Sequence, residues 1–252
     1  MIRIGLIGCG NIGRIIAEHA TNVKIVALFD KYYDRAQDLE KNTGANAFSK
    51  FDSFISGDFD LVVEAASVNA VSMYGAEVLL HGKDLVIMSV GALADPQFRE
   101  NLRESARARA RRIYIPSGAI FGLDNLKIGR ISTIKKLLLR TVKSPASLGV
   151  DVRERRLIFS GKAHECIKAF PKNVNVSVAM SLAAGRDTDV ELWVDPAVES
   201  NIHEMFIEGD FGETCIRVKN VPSPDNPATS YLAALSILSL LNNLDDPIIV
   251  GT

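Results

Sequence analysis

A chain of 252 residues is long enough for a sizeable core and lies near the length at which a second domain forms. With 29 basic against 30 acidic side chains it has no one-sided field to recruit nucleic acid or an anionic membrane, which leaves a small molecule as the expected partner. Cys9, Cys166 and Cys215 are scattered without metal-ligand spacing, which excludes a disulfide framework and a zinc site; lacking a signal core or a membrane-length apolar run, the chain is expected in the cytoplasm.

Short β-rich runs predict strands at Arg3–Gly8, Lys24–Asp30, Leu61–Ala65, Leu85–Ser89 and Arg112–Pro116, with helices between them. That alternation is the pattern of a parallel sheet with helices on its faces. The runs DLVVEAA and DLVIMSV are nearly all apolar, as strands covered on both sides require. Ile12, Ile15, Ile16 and His19 share one face of the first predicted helix. Another over Gln97–Arg111 starts behind Asp95-Pro96, an N-cap followed by proline at the first helical position.

Between the first strand and the first helix stands Gly8-Cys9-Gly10-Asn11-Ile12-Gly13, and the second strand ends in Asp30, about 20 residues after Gly10. A tight strand–helix turn without a ligand is the bland explanation; the acid and the alternating strands favour a dinucleotide. Gly8 permits the turn, Gly10 lets backbone approach a pyrophosphate, and Gly13 allows close helix–strand packing, while the amides of Asn11 and Ile12 face the negative charge. Asp30 is expected to accept from the adenosine ribose hydroxyls. Its charge favours NAD, while Lys31 and Arg35 keep NADP open. Two further strand ends, Ala65-Ala66-Ser67 and Ser89-Val90-Gly91-Ala92, are small enough to leave room for ribose and nicotinamide, which makes Ala66, Ser67 and Gly91 candidates; plain turns are the alternative. A backbone amide in Ser117-Gly118-Ala119 is placed to reach a carboxamide.

Past that point the pattern changes. The alternating runs KKLLLRTV, RRLIFSG, DVELWVDP, HEMFIEG and ETCIRVKN predict hairpin-joined strands with one buried and one open face, EGDFGE being the last turn. Helices interrupt at Ala163–Phe170 and Val174–Ala184; VPSPDNPATS reads as a linker, and the apolar helix Ser230–Asn242 is expected to return to the first domain. The fold class is therefore α/β: a Rossmann-type doubly wound parallel-sheet domain over 1–117 and 225–252, and a second α+β domain over 118–224 with an open, mainly antiparallel sheet.

Proton transfer at neutral pH points to the histidines. His19 and His81 sit on helices of the first domain and read as structural or solvent-facing. His164 opens a helix, and His203 begins a strand, on one face with Met205 and Ile207; such a ring is either a satisfied core histidine or a proton carrier. In FPKNVNVSVAMSLAAG, Asn173 or Asn175 is either a helix cap or a ligand contact.

Together GLIGCGNIG, SGAIFGLD, FPKNVNVSVAMSLA, NIHEMFIEGDFGE and VPSPDNPATSYLAALS resemble the L-aspartate dehydrogenase family, in order and across nearly the whole chain. The first motif is shared with many dinucleotide enzymes; the other four are more specific. The resemblance implies NAD- or NADP-dependent oxidative deamination of L-aspartate to iminoaspartate, which can feed NAD biosynthesis, and a homodimer whose open sheets help form the interface. It marks His203 as the active-site residue, Ala119 as a cofactor contact through its amide, and Asn173 as a second contact, with Asn175 as the alternative. The stretch GKAHE departs from the pattern, carrying Lys162 and His164 where a small residue and an arginine are expected. Lys162, Arg140 and Lys143 are the candidate anchors for the substrate carboxylates. The rivals are a homoserine dehydrogenase-like, dihydrodipicolinate reductase-like or 2-hydroxy acid enzyme of the same plan, and a non-catalytic NAD-sensing module.

Overall fold

The computed structural model describes residues 1–170, 175–223 and 226–251. Its backbone groups into two units, Met1–Pro116 with Ala234–Ile249, and Ser117–Ala233 with Val250–Thr252. The chain thus returns to the first unit at Ala234, some residues later than the boundary at 225 expected from sequence.

In the first unit β1 (Ile2–Ile7), β2 (Val23–Phe29), β3 (Asn46–Phe48), β4 (Leu61–Glu64), β5 (Asp84–Ile87) and β6 (Ile113–Tyr114) form one sheet in the order β3-β2-β1-β4-β5-β6. Every pair in it is parallel. All carboxyl ends therefore share one edge, and the order reverses between β1 and β4, where a crevice opens in such sheets. Helices α1 (Asn11–His19), α2 (Tyr33–Thr43), α3 (Phe51–Ile55), α4 (Val68–Leu80) and α5 (Pro96–Ala108) connect the strands.

Local chemistry sets the helix ends. The Asp95 carboxylate accepts from the amides of Gln97 (2.8 Å) and Phe98 (3.0 Å), so α5 begins where the sequence predicts. It stops at Ala108, short of the expected Arg111, because Ala110 turns into the left-handed region at φ 50°. His19 is exposed, the solvent-facing alternative of the sequence reading, and the buried residues of α1 are Gly13, Ile15 and Ile16. Two elements escaped the sequence reading, β3 and α3. The short α3 is held by its aromatics: Phe51 stacks on Tyr74 at 4.2 Å between centroids, and Phe54 packs against Phe29 and Phe59.

The second unit contains α6 (Leu123–Leu126), β7 (Ile134–Lys143), α7 (Pro145–Leu148), β8 (Arg156–Lys162), α8 (Ala163–Ala169), α9 (Asn175–Ala184), β9 (Asp189–Val194), β10 (Ile202–Gly209) and β11 (Gly212–Lys219). Its sheet runs β11-β10-β7-β9-β8 and is antiparallel except for β7 beside β9. That parallel pair is what the hairpin-only expectation missed. Period-two alternation splits the faces as predicted. Leu137, Leu139, Met205 and Ile207 point inward onto Ile120, Leu126, Met180 and Ala184. The opposite face carries Arg140, which pairs with Glu191 (2.7 Å) and Glu204 (3.7 Å).

The stretch read as a linker carries a pair of short strands. Pro222–Ser223 forms β12, paired with β13 (Asn226–Ser230). Buried Asn220 anchors this hairpin, accepting from the Ser230 hydroxyl and donating to the Ala119 carbonyl (3.2 Å). Proline-rich composition hid these tertiary hydrogen bonds.

The final helix, α10 (Tyr231–Asn243), supplies Ile237 and Leu241 to the core built from Ile4, Leu6, Leu28, Val63 and Val86. Asn242 also accepts from the Thr21 amide at 3.4 Å. The C-terminal helix is thus a structural part of the first sheet's core. Replacing fully buried Ile237 by alanine is expected to cost about 2–5 kcal/mol in denaturant unfolding.

Candidate active site

At the end of β1 the chain turns through Gly8 at φ +98°. A side chain there would meet backbone of Ala65 at 2.7 Å, and one on Gly13 would lie 2.2 Å from the Gly8 carbonyl oxygen. Both positions demand glycine for the protein's own packing. Gly10 differs: its φ is −83°, and a Cβ would meet no atom within 4 Å. Among the described residues no packing contact requires glycine at that point. Gly10 caps α1 with no side-chain hydrogen bond, and the positive end of the helix dipole behind it favours an anion. These residues fit a dinucleotide diphosphate.

Asp30, buried at the end of β2, is braced into this loop. One carboxylate oxygen accepts from the Cys9 amide (2.9 Å) and the other from the Tyr32 amide (2.8 Å). A carboxylate has further lone pairs for ribose hydroxyls. Beside it, Lys31 and Arg35 flank the Tyr32 ring, each 4.7 Å from its centroid. Burial, and then the Asp30 charge, push the Cys9 thiol up to about 12, which keeps it unreactive.

Glu64, at the end of β4, was not among the sequence candidates. It is buried and collects four hydrogen bonds: from the Ala66 and Ser67 amides (each 2.8 Å), the Ser89 hydroxyl (2.8 Å) and the Ser89 amide (3.0 Å). Burial raises its pKa, while these donors act the other way. Glu64 therefore ties together the turns after β4 and β5, where Ala66 and Ser67 are exposed and Gly91 is half-buried in a short 3-10 turn. The signal available was a lone acid inside an otherwise apolar strand.

In the second unit His203 lies on the inner face of its sheet, beside Met205 and opposite Thr141. Its Nδ1 is 3.0 Å from Thr141 Oγ1. Burial, and then the nearby Lys143 charge, hold the ring down to about 3, so the imidazole is neutral at physiological pH. Lys143 is itself buried, which lowers it to about 8. The other candidates are placed differently. His164 is exposed and paired with Asp187 (2.5 Å), and Lys162 pairs with Asp189 (2.5 Å). Ala119 is half-buried, Asn175 begins α9, and Asn173 lies outside the described residues. No group of three or more metal-ligating side chains occurs among the described residues.

Residues 124–244 match the family described as aspartate dehydrogenase, C-terminal, and residues 4–116 match the NAD binding domain of homoserine dehydrogenase. An L-aspartate dehydrogenase of Methanospirillum hungatei is 60% identical over 252 residues, covering all of both chains. The chain belongs to the L-aspartate dehydrogenase family. Its relative in Methanocaldococcus jannaschii, also an L-aspartate dehydrogenase, is 40% identical over the full length of both. The crystal structure of aspartate dehydrogenase from Thermotoga maritima superposes with a TM-score of 0.86 at 31% identity, again covering all of both chains. The NAD-binding assignment of the first unit and the dehydrogenase relatives agree with NAD or NADP as cofactor.

Two outcomes follow for the family's glycine loop and histidine. Gly10→Ala is expected to weaken NADH binding about 10-fold or more in fluorescence titration while keeping stability within about 1 kcal/mol, whereas Gly13→Ala loses about 1–3 kcal/mol or more in denaturant unfolding. For His203 the unfolded chain takes up a proton below its ordinary value of 6.5 while the folded chain waits until about 3. Stability is therefore complete above that ordinary value and falls as pH drops through the window. His203→Gln removes this loss, so the stability difference between wild type and variant shifts by about 2 kcal/mol between about pH 7 and about pH 5 in urea titrations.

Proposed function

We propose that the protein oxidatively deaminates L-aspartate to iminoaspartate, a product that can feed NAD biosynthesis, with His203 as the proton-transfer group. When bound, NAD or NADP supplies the hydride acceptor. The groups proposed to hold it are the loop Gly8, Gly10 and Gly13 with the amides of Asn11 and Ile12 for the diphosphate, and Asp30 for the ribose. Ala66, Ser67 and Gly91 complete the set within the first unit, and the Ala119 amide with Asn173, or Asn175 in its place, are the contacts proposed in the second.

The observation that supports the role of His203 is its place on the inner face of the sheet, with the ring held by Thr141 Oγ1 at 3.0 Å. With Nδ1–H donating to the threonine oxygen, Nε2 keeps a lone pair for a proton. The substrate ammonium gives one proton to that nitrogen. The freed lone pair forms the C=N bond as the Cα–H bond breaks and its hydrogen leaves with both electrons. Electrons and charge balance: the substrate carbon is oxidised, the cofactor is reduced, and one proton is released through His203.

We also propose a homodimer built on the open face of the second sheet, supported by the polar and aromatic side chains Arg140, Glu191, Trp193 and Phe206 on that face, and a cytoplasmic location, consistent with the absence of any membrane-length apolar helix among the described residues. Aspartate-dependent NADH formation, read by absorbance against homoserine and 2-hydroxy acids, tests the activity. His203→Ala is expected to lower turnover about 1,000-fold with cofactor affinity kept within about threefold. Turnover of another substrate in place of aspartate, or unchanged activity in the variant, would refute it.

A further inference from the structure

A buried acid ends the fourth strand of the first sheet, where an apolar side chain would ordinarily close the run. Leu61, Val62 and Val63 precede Glu64 on β4, and all four are buried. The Glu64 Oε1 accepts from the Ala66 amide, the Ser67 amide and the Ser89 hydroxyl, each at 2.8 Å, and its Oε2 accepts from the Ser89 amide at 3.0 Å. Every partner is a donor. The arrangement is therefore built for an acceptor-only group, the ionised carboxylate.

An apolar side chain would pack in that place without the cost of burying a charge. What the carboxylate adds is direction. The turn after β4 and the turn after β5 follow different strands, and one group of fixed geometry sets them relative to each other. The Glu64 carbonyl joins in, accepting from the Met88 amide at 3.1 Å. On its other side the turn after β4 abuts the glycine loop: the Ala65 amide donates to the Ile7 carbonyl (2.8 Å), and a Cβ on Gly8 would lie 2.8 Å from that of Ala66. The ends of β1, β4 and β5 are thereby linked edge to edge.

Strand order tells which half of a dinucleotide meets these turns. With the diphosphate over the glycine loop after β1 and the adenosine ribose at Asp30 after β2, the rest of the molecule extends the other way, over β4 and β5, about 5 and about 10 Å from β1. We propose that Glu64 is a positioning residue for the nicotinamide half of the cofactor, holding the turns that carry Ala66, Ser67 and Gly91 as one preformed wall. The proposal rests on the cofactor placement given above.

Glu64→Gln keeps the shape and turns one acceptor into a donor set against donors; Ser89→Ala, which removes a single hydroxyl, serves should the first fail to fold. Calorimetry compares NADH with ADP, which carries the adenosine and the diphosphate but neither the second ribose nor the nicotinamide. Glu64→Gln is expected to weaken NADH binding about 10-fold or more and Ser89→Ala about threefold, with the ADP dissociation constant within about twofold in both. A merely structural acid would instead move NADH and ADP together, or neither. Parallel weakening of the two ligands, or an unchanged NADH affinity, overturns the assignment. If the cofactor placement itself is wrong, the wild type binds NADH no more tightly than ADP, a result distinct from a discriminating wild type with indifferent variants.

Discussion

Contact of backbone with backbone is the constraint on which the first unit depends. The carbonyl of Gly8 lies where a side chain on Gly13 would have to be, and the turn at Gly8 presses on Ala65 in the same way. Those approaches draw α1 down onto β1 and bring the turn after β4 alongside the glycine loop, at the place where the strand order reverses. The helix N-terminus then opens over the crevice as a direct result of packing. Asp30 and Glu64 consolidate that arrangement from below. One binds the Cys9 amide of the loop and the Tyr32 amide after β2; the other joins two neighbouring turns into a single hydrogen-bonded group.

The second unit spends its polarity differently. Its sheet is a conventional half-buried surface until the last pairs of β7 and β10, where threonine, histidine and lysine replace leucine, methionine and isoleucine on one face. Burial keeps the imidazole neutral and lowers the lysine beside it to about 8.

Much of this was legible in the amino-acid order because it is local. Gly8-Cys9-Gly10-Asn11-Ile12-Gly13 followed by Asp30, the Asp95-Pro96 helix start, and the change from covered to alternating strands each declare themselves within a short window. What stayed hidden depends on tertiary partners. The three-residue β3 has too few positions to show a period, and α3 exists because its phenylalanines meet Phe29 and Tyr74. A proline-rich stretch looked like a linker until Asn220 and Ser230 closed on each other. Glu64 was one acid in an apolar run. That Lys143 rather than Lys162 shares a face with His203 follows from strand register, and register is written in pairing rather than in sequence.

The return of α10 has a bearing on how the molecule comes into being. Side chains near both termini, Ile4 and Leu6 at one end, Ile237 and Leu241 at the other, belong to one core. On the ribosome the parallel sheet is made first yet stays unfinished until the last helix emerges, after the whole mixed sheet has been translated. Until α10 is made, the first unit carries an open hydrophobic seam.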